Sequence, residues 1–466
     1  MSTRRQMAST AKTADITRAK LPADLRRWLD DNNIEEIESV VADMTGVARG
    51  KILPARKYHE EVGLRLPESI FAQTVSGDYP RQWEVLGEAD GDIFLKPDPA
   101  TVRAVPFAAK PSAVIIHDCY HFDGTPVEEA PRQVLRRVLD LYHKKGWAPV
   151  VAPEVEFYLV KPNTDADYPL EPPVGRSGRA ESGRQAFSID AVNEFDPLFE
   201  DLYDYCDIQD IGIETLIHES GVAQMEINLL HGDAMELADQ VFLFKRGLRQ
   251  VAMRHKIYGT FMAAPLEGQP GSALHIHQSV VGVKSDNNIF SDARGNESKR
   301  FKHFIGGLQR YLPAAMALCA PNVNSYRRLA PDEFDTPVNI EWGYDNRTAG
   351  LRVPVSKPRA RRVENRISGA DVNPYLAIAA SLACGYLGMT EEIAPKKPVA
   401  GNAGDLETTL PHTLREAVSE LLRCKPLHDV LGEKFVRLYS SVKQHEYNTF
   451  LKVISAWERE HLLLNV

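Results

Sequence analysis

In several apolar segments of the chain polar residues recur at every second position, and a strand sends alternate side chains to the same face. In VVAPEVEFYLV, Glu154 and Glu156 share one face while Val155 and Phe157 share the other. GSALHIHQSV puts His275 and His277 on one side and Leu274 and Ile276 on the opposite one. RRVENR aligns Arg362, Glu364 and Arg366, and DNRTAGLRVP carries Arg347 and Arg352. HESGVAQMEIN adds Glu219 and Glu226, separated by a Gly-containing turn. Together these segments predict a sheet with a charged concave face.

Helical spacing appears elsewhere. PRQVLRRVLDLYHKKG places Val134, Val138 and Leu141 on one face, with Pro131 near the start and Gly146 at the stop. Asp233 precedes a helix in which Leu237, Val241, Phe244, Leu248 and Val251 recur, and Glu236 suggests a capping box. Asn373-Pro374 opens a third helix, with Gly388 as its expected stop. Upstream, residues 33–107 are rich in β-branched residues, Gly and Pro, with a strand-like piece at Ile37–Asp43 and another, Ala113–Ile116, just beyond the end of the region. The Gly/Pro segment Phe122–Pro131 follows and marks a boundary. The expected organisation is a flexible segment over 1–32, a small β-rich domain over 33–121 and a large domain over 122–466. Pro162–Arg184 and Ala394–Pro411 read as loops.

Composition narrows the partners. The 466 residues carry 55 Lys+Arg against 64 Asp+Glu, a formal net charge of −9, and 43% are hydrophobic. That length supports a well-buried core and more than one domain, and the composition excludes intrinsic disorder. An acidic balance without a long basic run argues against nucleic acid or an anionic membrane surface as partner. No stretch approaches the ~20 consecutive apolar residues that cross a bilayer. The N-terminal MSTRRQMASTAKTADITRAK lacks the apolar core of a secretory signal, so the expected location is the cytoplasm. Cys119, Cys206, Cys319, Cys384 and Cys424 form no C-x-x-C pair and are odd in number, which predicts reduced thiols.

A single pair of strand glutamates reads most simply as a solvated sheet face, and a single arginine as a surface ion-pair partner. Five carboxylates, imidazole and several guanidiniums on one face, with an apolar reverse, change that weighting. Such charges repel unless something neutralises them. Carboxylates with one imidazole suit hard octahedral ions, Mg²⁺ or Mn²⁺, over zinc or copper. Six ligands for two ions leave positions for water and phosphate oxygens, an arrangement that belongs to phosphoryl transfer. No P-loop exists; GVARGKI at Gly46–Ile52 has the wrong glycine spacing and lacks the final Ser/Thr. Nucleotide would therefore be clamped by metal and by Arg328, Arg347, Arg352, Arg362 and Arg366, whose forked donors match carboxylate and phosphate oxygens.

The order and spacing of PEVEFYL, HES…AQMEIN, GSALHIHQS, PNVNSYRRL, NRTAGLRVP and RRVENR…ADVNPYLAIA resemble the glutamine synthetase superfamily over nearly the whole chain. The wording LEGQPGSALHIHQS, EWGYDNRT and GADVNPYLAIAAS is most similar to its γ-glutamylputrescine, or γ-glutamylpolyamine, synthetase branch. The resemblance implies an α+β fold, with a small β-grasp-like domain and a large catalytic domain whose curved antiparallel sheet is backed by helices. It implies that Glu156, Glu219 and Glu226 hold one metal and Glu154, His275 and Glu364 the other. Arg328 and Arg366 would grip glutamate, with Gly271 in the loop contacting its amino group. Arg347 and Arg352 would meet the transferred and nucleotide phosphates, and His277 and Ser279 the nucleotide. Asp43, in VADMTGVARGK, fits the motif whose aspartate reaches a neighbouring subunit's site, which implies a homo-oligomer, a dodecamer of two stacked hexameric rings.

The departures concern the acceptor. Pro270-Gly271-Ser272-Ala273 stands where glutamine synthetases have Asn-Gly-Ser-Gly, and Asp335 replaces the usual flap glutamate. Both weigh against ammonium. The implied reaction joins the glutamate γ-carboxylate to an amine, putrescine or another polyamine, through γ-glutamyl phosphate made from ATP. An alkylammonium must lose a proton before it attacks, and Asp43 and Asp335 are the expected bases. The rival readings are glutamine synthesis with ammonium and a catalytically silent structural or regulatory member of the superfamily. The latter predicts lost metal ligands, yet all six positions are filled.

Overall fold

The computed structural model describes residues 21–60, 64–80, 86, 90–329 and 336–466, and two sheets organise it. The first contains β1 (Glu36–Ala42), β2 (Ala48–Pro54), β3 (Leu64–Pro67), β4 (Asp92–Pro97), β5 (Arg103–Ala104) and β6 (Ser112–Tyr120). Its order is β2-β1-β6-β4-β3, with β5 beside β6. β1 and β6 run parallel, and the other pairs are antiparallel. Ile37, Ala113, Val114 and Ile115 are fully buried, so the expected strands of this region form its centre.

The second sheet contains β7 (Trp147–Val160), β8 (Ile213–His218), β9 (Gln224–Leu229), β10 (Gly232–Asp233), β11 (Tyr258–Thr260), β12 (Leu274–Gly282), β13 (Trp342–Tyr344), β14 (Leu351–Val353) and β15 (Val363–Asn365). The order is β13-β14-β15-β12-β7-β9-β8, with β10 and β11 against β7. All of its pairs are antiparallel except β13 with β14, which run parallel and so depart from the expected pattern. Val155 and Phe157 are fully buried on the reverse face. There the Phe157 ring meets Phe244 at 6.2 Å and Phe261 at 5.9 Å, which brings the helix Ala234–Arg254 onto the sheet. Burial of each such ring contributes roughly 2–3 kcal/mol and locks the register in which the glutamates face away.

The expected helices form at Pro131–Lys144, Ala234–Arg254 and Pro374–Thr390. Asp233 accepts from the backbone N–H groups of Met235 and Glu236, and Asn373 from those of Tyr375 and Leu376. Three expectations need correction. The part of the expected flexible segment 1–32 that the structure describes carries a helix, Ala23–Asp31, whose Leu25 and Leu29 are buried in the core. In the helix Pro131–Lys144 the buried face runs through Val134, Val138 and Tyr142, and Leu141 is only half-buried. Gly388 does not end its helix, which continues to Thr390. A Cβ there would lie 2.2 Å from the His303 carbonyl oxygen and 2.5 Å from Gly307 Cα, so this glycine lets the helix Lys299–Cys319 pack backbone to backbone. All five cysteines are free. No helix among the described residues is long and apolar enough to cross a membrane.

Candidate active site

Strand register sets the charged groups beside one another. Glu154 on β7 pairs with His275 on β12 and with Asn228 on β9, and Glu156 pairs with Glu226. His277 pairs with Glu364 on β15, which pairs in turn with Arg352 on β14. Glu156, Glu226, Glu364, His275 and His277 are all buried, and the Glu154 side chain is 20% exposed. Glu219 lies just past β8, beyond its last residue His218, and is half-buried.

Two groups of donors are close enough to share an ion, Glu154 with Glu226 and His275, and Glu154 with His277 and Glu364. Glu154 sits between them. Its Oε2 is 3.3 Å from His275 Nδ1, and its Oε1 is 2.9 Å from His277 Nε2 and accepts from Asn228 Nδ2 at 3.0 Å. Arg362 Nε donates to His277 Nδ1 at 3.2 Å. Because a guanidinium only donates, that nitrogen accepts and the ring proton faces Glu154. Arg366 and Arg352 each donate to Glu364, at 2.6 and 2.8 Å.

The electrostatics of the array are uneven. Burial, with the Glu219 charge adding, pushes the Glu156 carboxyl up to about 8. Burial also raises Glu226 well above the usual range, with the charges of Glu154, Glu156, Glu219 and Glu364 all contributing. For Glu364 burial acts upward, but the Arg366 guanidinium and the two imidazoles outweigh it and hold the group at about 2. Burial lowers His275 to about 4, leaving a neutral imidazole. Buried carboxylates that repel and a neutral imidazole are the donor set that a divalent cation neutralises. The residues present therefore fit such ions.

The remaining expected residues fall around this array. Arg328 ends the short helix Ser325–Arg328, is buried, and donates to the carbonyls of Ile367 and Arg366, each at 2.9 Å. Gly271 lies against it: a Cβ there would be 2.4 Å from Arg328 Cγ, so only glycine lets the arginine pass. Arg347 is exposed on the turn between β13 and β14. Ser279, His277, Glu154 and Arg362 line a cavity of about 690 Å³ with Glu214 and His231. Asp43 stands apart, in the turn between β1 and β2, with its side chain fully buried. Its Oδ1 accepts from the Thr45 and Val47 N–H groups, each at 2.9 Å, and from Thr45 Oγ1 at 2.7 Å, while Oδ2 pairs with Arg49 Nε at 2.7 Å. Asp335 lies outside the described residues.

Some partners were missed in the sequence. Gln224 and Asn228 flank Glu226 at two-residue spacing, so strand alternation alone could have found them. Gln224 Nε2 donates to Glu156 at 3.2 Å, alongside the Ala273 N–H at 2.8 Å. Asp345, which accepts from Arg352 at 2.5 Å, and Glu181, which is 3.1 Å from His218 Nε2, carry no such local signal.

An α+β scaffold that buries a carboxylate–imidazole face rimmed by arginines defines the class, and comparison with known proteins places the chain within it. The chain belongs to the glutamine synthetase family, whose catalytic domain matches residues 128–462. It is 34% identical to the γ-glutamylputrescine synthetase PuuA of Escherichia coli (strain K12), over 95% of this chain and 94% of that one. It is 32% identical to a glutamine synthetase of Pyrococcus abyssi (strain GE5 / Orsay), over 90% and 92% of the two chains. A glutamate–isopropylamine ligase of Pseudomonas sp is 31% identical, over 93% and 96%. The solved structure of apo GmaS without ligand superposes with a TM-score of 0.79 at 27% identity, covering 94% of this chain and 98% of that one. Members of the family are ATP-dependent ligases of glutamate that use divalent metal ions.

Proposed function

We propose that this protein ligates the γ-carboxylate of glutamate to a small organic amine, putrescine or another polyamine, at the expense of ATP. The observation that carries the reading is the buried, mutually repelling set Glu156, Glu226 and Glu364 beside His275, in reach of Arg352 and Arg366. In this reading Glu156, Glu219 and Glu226 hold one ion, and Glu154, His275 and Glu364 another. The hard, oxygen-rich donor set favours Mg²⁺ or Mn²⁺, which when bound neutralise charge on the meeting anions. The split is our assignment; in the structure Glu226 also lies with Glu154 and His275, and His277 with Glu154 and Glu364.

The chain's own groups then have distinct tasks. Arg328 and Arg366 orient the glutamate carboxylates, and Gly271 gives its amino group room. Arg347, Arg352 and Arg362 meet phosphate oxygens, and His277 and Ser279 border the 690 Å³ cavity as the nucleotide site. Holding the γ-carboxylate in line with the γ-phosphate overcomes the repulsion that keeps two anions apart. In γ-glutamyl phosphate the amine lone pair forms the new C–N bond, the C–O bond to phosphate breaks and inorganic phosphate leaves. The proton of the attacking nitrogen goes to a carboxylate base. Asp43, from a neighbouring subunit, is our choice, with Asp335 second. Asp43 can serve only by exchanging the Arg49 guanidinium for the substrate ammonium, since its carboxylate is otherwise held by Thr45 and Val47 of its own turn.

That base requires a homo-oligomer, a dodecamer of stacked hexamers in our reading. Ile52 on β2, 68% exposed, and Trp457, 63% exposed, supply apolar surface for such contacts. The free cysteines support a reducing cytoplasmic setting. The relative that makes γ-glutamylputrescine and the Pro270-Gly271-Ser272-Ala273 loop favour an organic amine, while the Pyrococcus relative keeps ammonium as the second reading. The deciding experiment measures phosphate release with Mg²⁺, ATP and glutamate across ammonium, putrescine, spermidine, ethanolamine and methylamine. Turnover with ammonium alone overturns the organic-amine reading, and turnover with none supports a silent member.

A further inference from the structure

Glu181 lies in the loop Pro162–Arg184, yet its side chain is only 8% exposed. Its Oε2 is 3.1 Å from His218 Nε2 and accepts from the Ala223 N–H. His218 is fully buried, and its Nδ1 is 2.7 Å from the Glu219 carbonyl oxygen. Glu181 therefore bonds to both sides of the turn that carries Glu219. Its other oxygen, Oε1, is buried without any hydrogen-bond partner. A buried carboxylate oxygen left unpaired is costly and calls for a donor.

Glu181 also lines a cavity of about 260 Å³. Asp190 and Glu194 share the cavity with it, against a single cationic side chain, Arg179, while Ala191 and Phe195 add apolar surface. Three carboxylates against one guanidinium leave a net negative wall, and the apolar patches suit methylenes. An alkylammonium has this chemistry: a cationic head that donates hydrogen bonds and an apolar stem.

We propose that Glu181 and the cavity it lines form the subsite that receives the far ammonium of a diamine acceptor, while the near nitrogen attacks beside Glu219. The proposal rests on the amine-ligase reading and names the group that selects the acceptor. Glu181 is a specificity residue, in contact with the amine and remote from the bond that forms.

The test compares kcat/KM for putrescine and for n-butylamine, which keeps the four-carbon stem and lacks the second ammonium. The wild type prefers putrescine, and Glu181→Gln lowers the putrescine-to-butylamine ratio about tenfold, the equivalent of one charge-assisted contact. If both amines slow alike and the ratio holds, Glu181 acts only through His218 and the Ala223 peptide, and the proposal is overturned. Asp190→Asn, on the exposed cavity wall, lowers the ratio about threefold and gives a reading even where Glu181→Gln misfolds. Calorimetric titration of each amine separates this idea from the ligase reading. Selective putrescine binding that Glu181→Gln removes supports the subsite even where no organic amine is turned over, a result that fells the ligase reading alone. Equal binding of the two amines to the wild type overturns the subsite.

Discussion

In the first sheet Ser39 and His117 are buried together with Tyr58, which precedes β3. Ser39 Oγ lies 3.0 Å from His117 Nε2, Tyr58 OH lies 3.1 Å from the same nitrogen, and Nδ1 is 2.9 Å from the Ile115 carbonyl oxygen. The Asp43 carboxylate, in the turn between β1 and β2, is likewise satisfied from within the chain, by that turn and by Arg49 of β2. In the second sheet Glu226 faces four other carboxylates, and both it and Glu156 are raised by burial and by like charge. The first arrangement needs nothing from outside the chain. The second is incomplete until cations arrive, and that asymmetry separates a structural polar cluster from a site.

The comparison breaks most visibly under substitution. Glu156→Gln should cost about 10³-fold in kcat with Mg²⁺ and ATP, as loss of a transition-state contact does. Its metal-free melting temperature should not fall, because burial and the Glu219 charge already disfavour the Glu156 anion and Gln is a neutral group of the same shape. A variant that keeps its activity, or unfolds without metal, sinks the assignment of Glu156 to an ion. Glu364→Gln should lose activity comparably while leaving the oligomer intact, as light scattering would show.

Acid should strike the first sheet. Burial holds His117 at about 4, below its ordinary 6.5. A group whose folded value is depressed contributes stability above its unfolded value and loses it as pH falls through the folded one. The window therefore runs from pH 6.5 down to about 4, with up to about 3 kcal/mol at stake. Denaturant unfolding of the wild type and His117→Gln across that window checks this, and parallel curves would refute it. Divalent metal should act on the second sheet by an amount close to that. Mg²⁺ at 100 times its Kd should add about 2.7 kcal/mol to stability, and neutralising Glu156, Glu226 and Glu364 with Gln together should abolish the gain. The smallest effect is expected from Ser39→Ala, about 1 kcal/mol with kcat/KM unchanged, since His117 keeps Tyr58 and the Ile115 carbonyl.

Much of the site was legible because strand alternation is a local property. Glu154 with Glu156, and His275 with His277, had to share a face wherever the strands lay, and their register then opposed Glu154 to His275. The long amphipathic helices were legible for the same reason, through Asp233 and Asn373 as caps. Gly388 was misread because a glycine near a helix end looks the same whether it stops the helix or receives Gly307 from another one. Leu141 was misread because helical spacing defines a stripe but not which edge of it a neighbour covers.

By itself the sequence determined the strand and helix periods, the charged face and its donor chemistry, since each follows from residue type and spacing along one segment. Only the tertiary structure decided that Glu154 stands between two donor groups, that Arg362 orients His277, that Asp43 is enclosed by its turn together with Arg49 of β2, and that Glu181 reaches the turn bearing Glu219. Those facts join residues 37 to more than 200 positions apart, or depend on which contacts win locally, and neither is encoded in the period of a single segment.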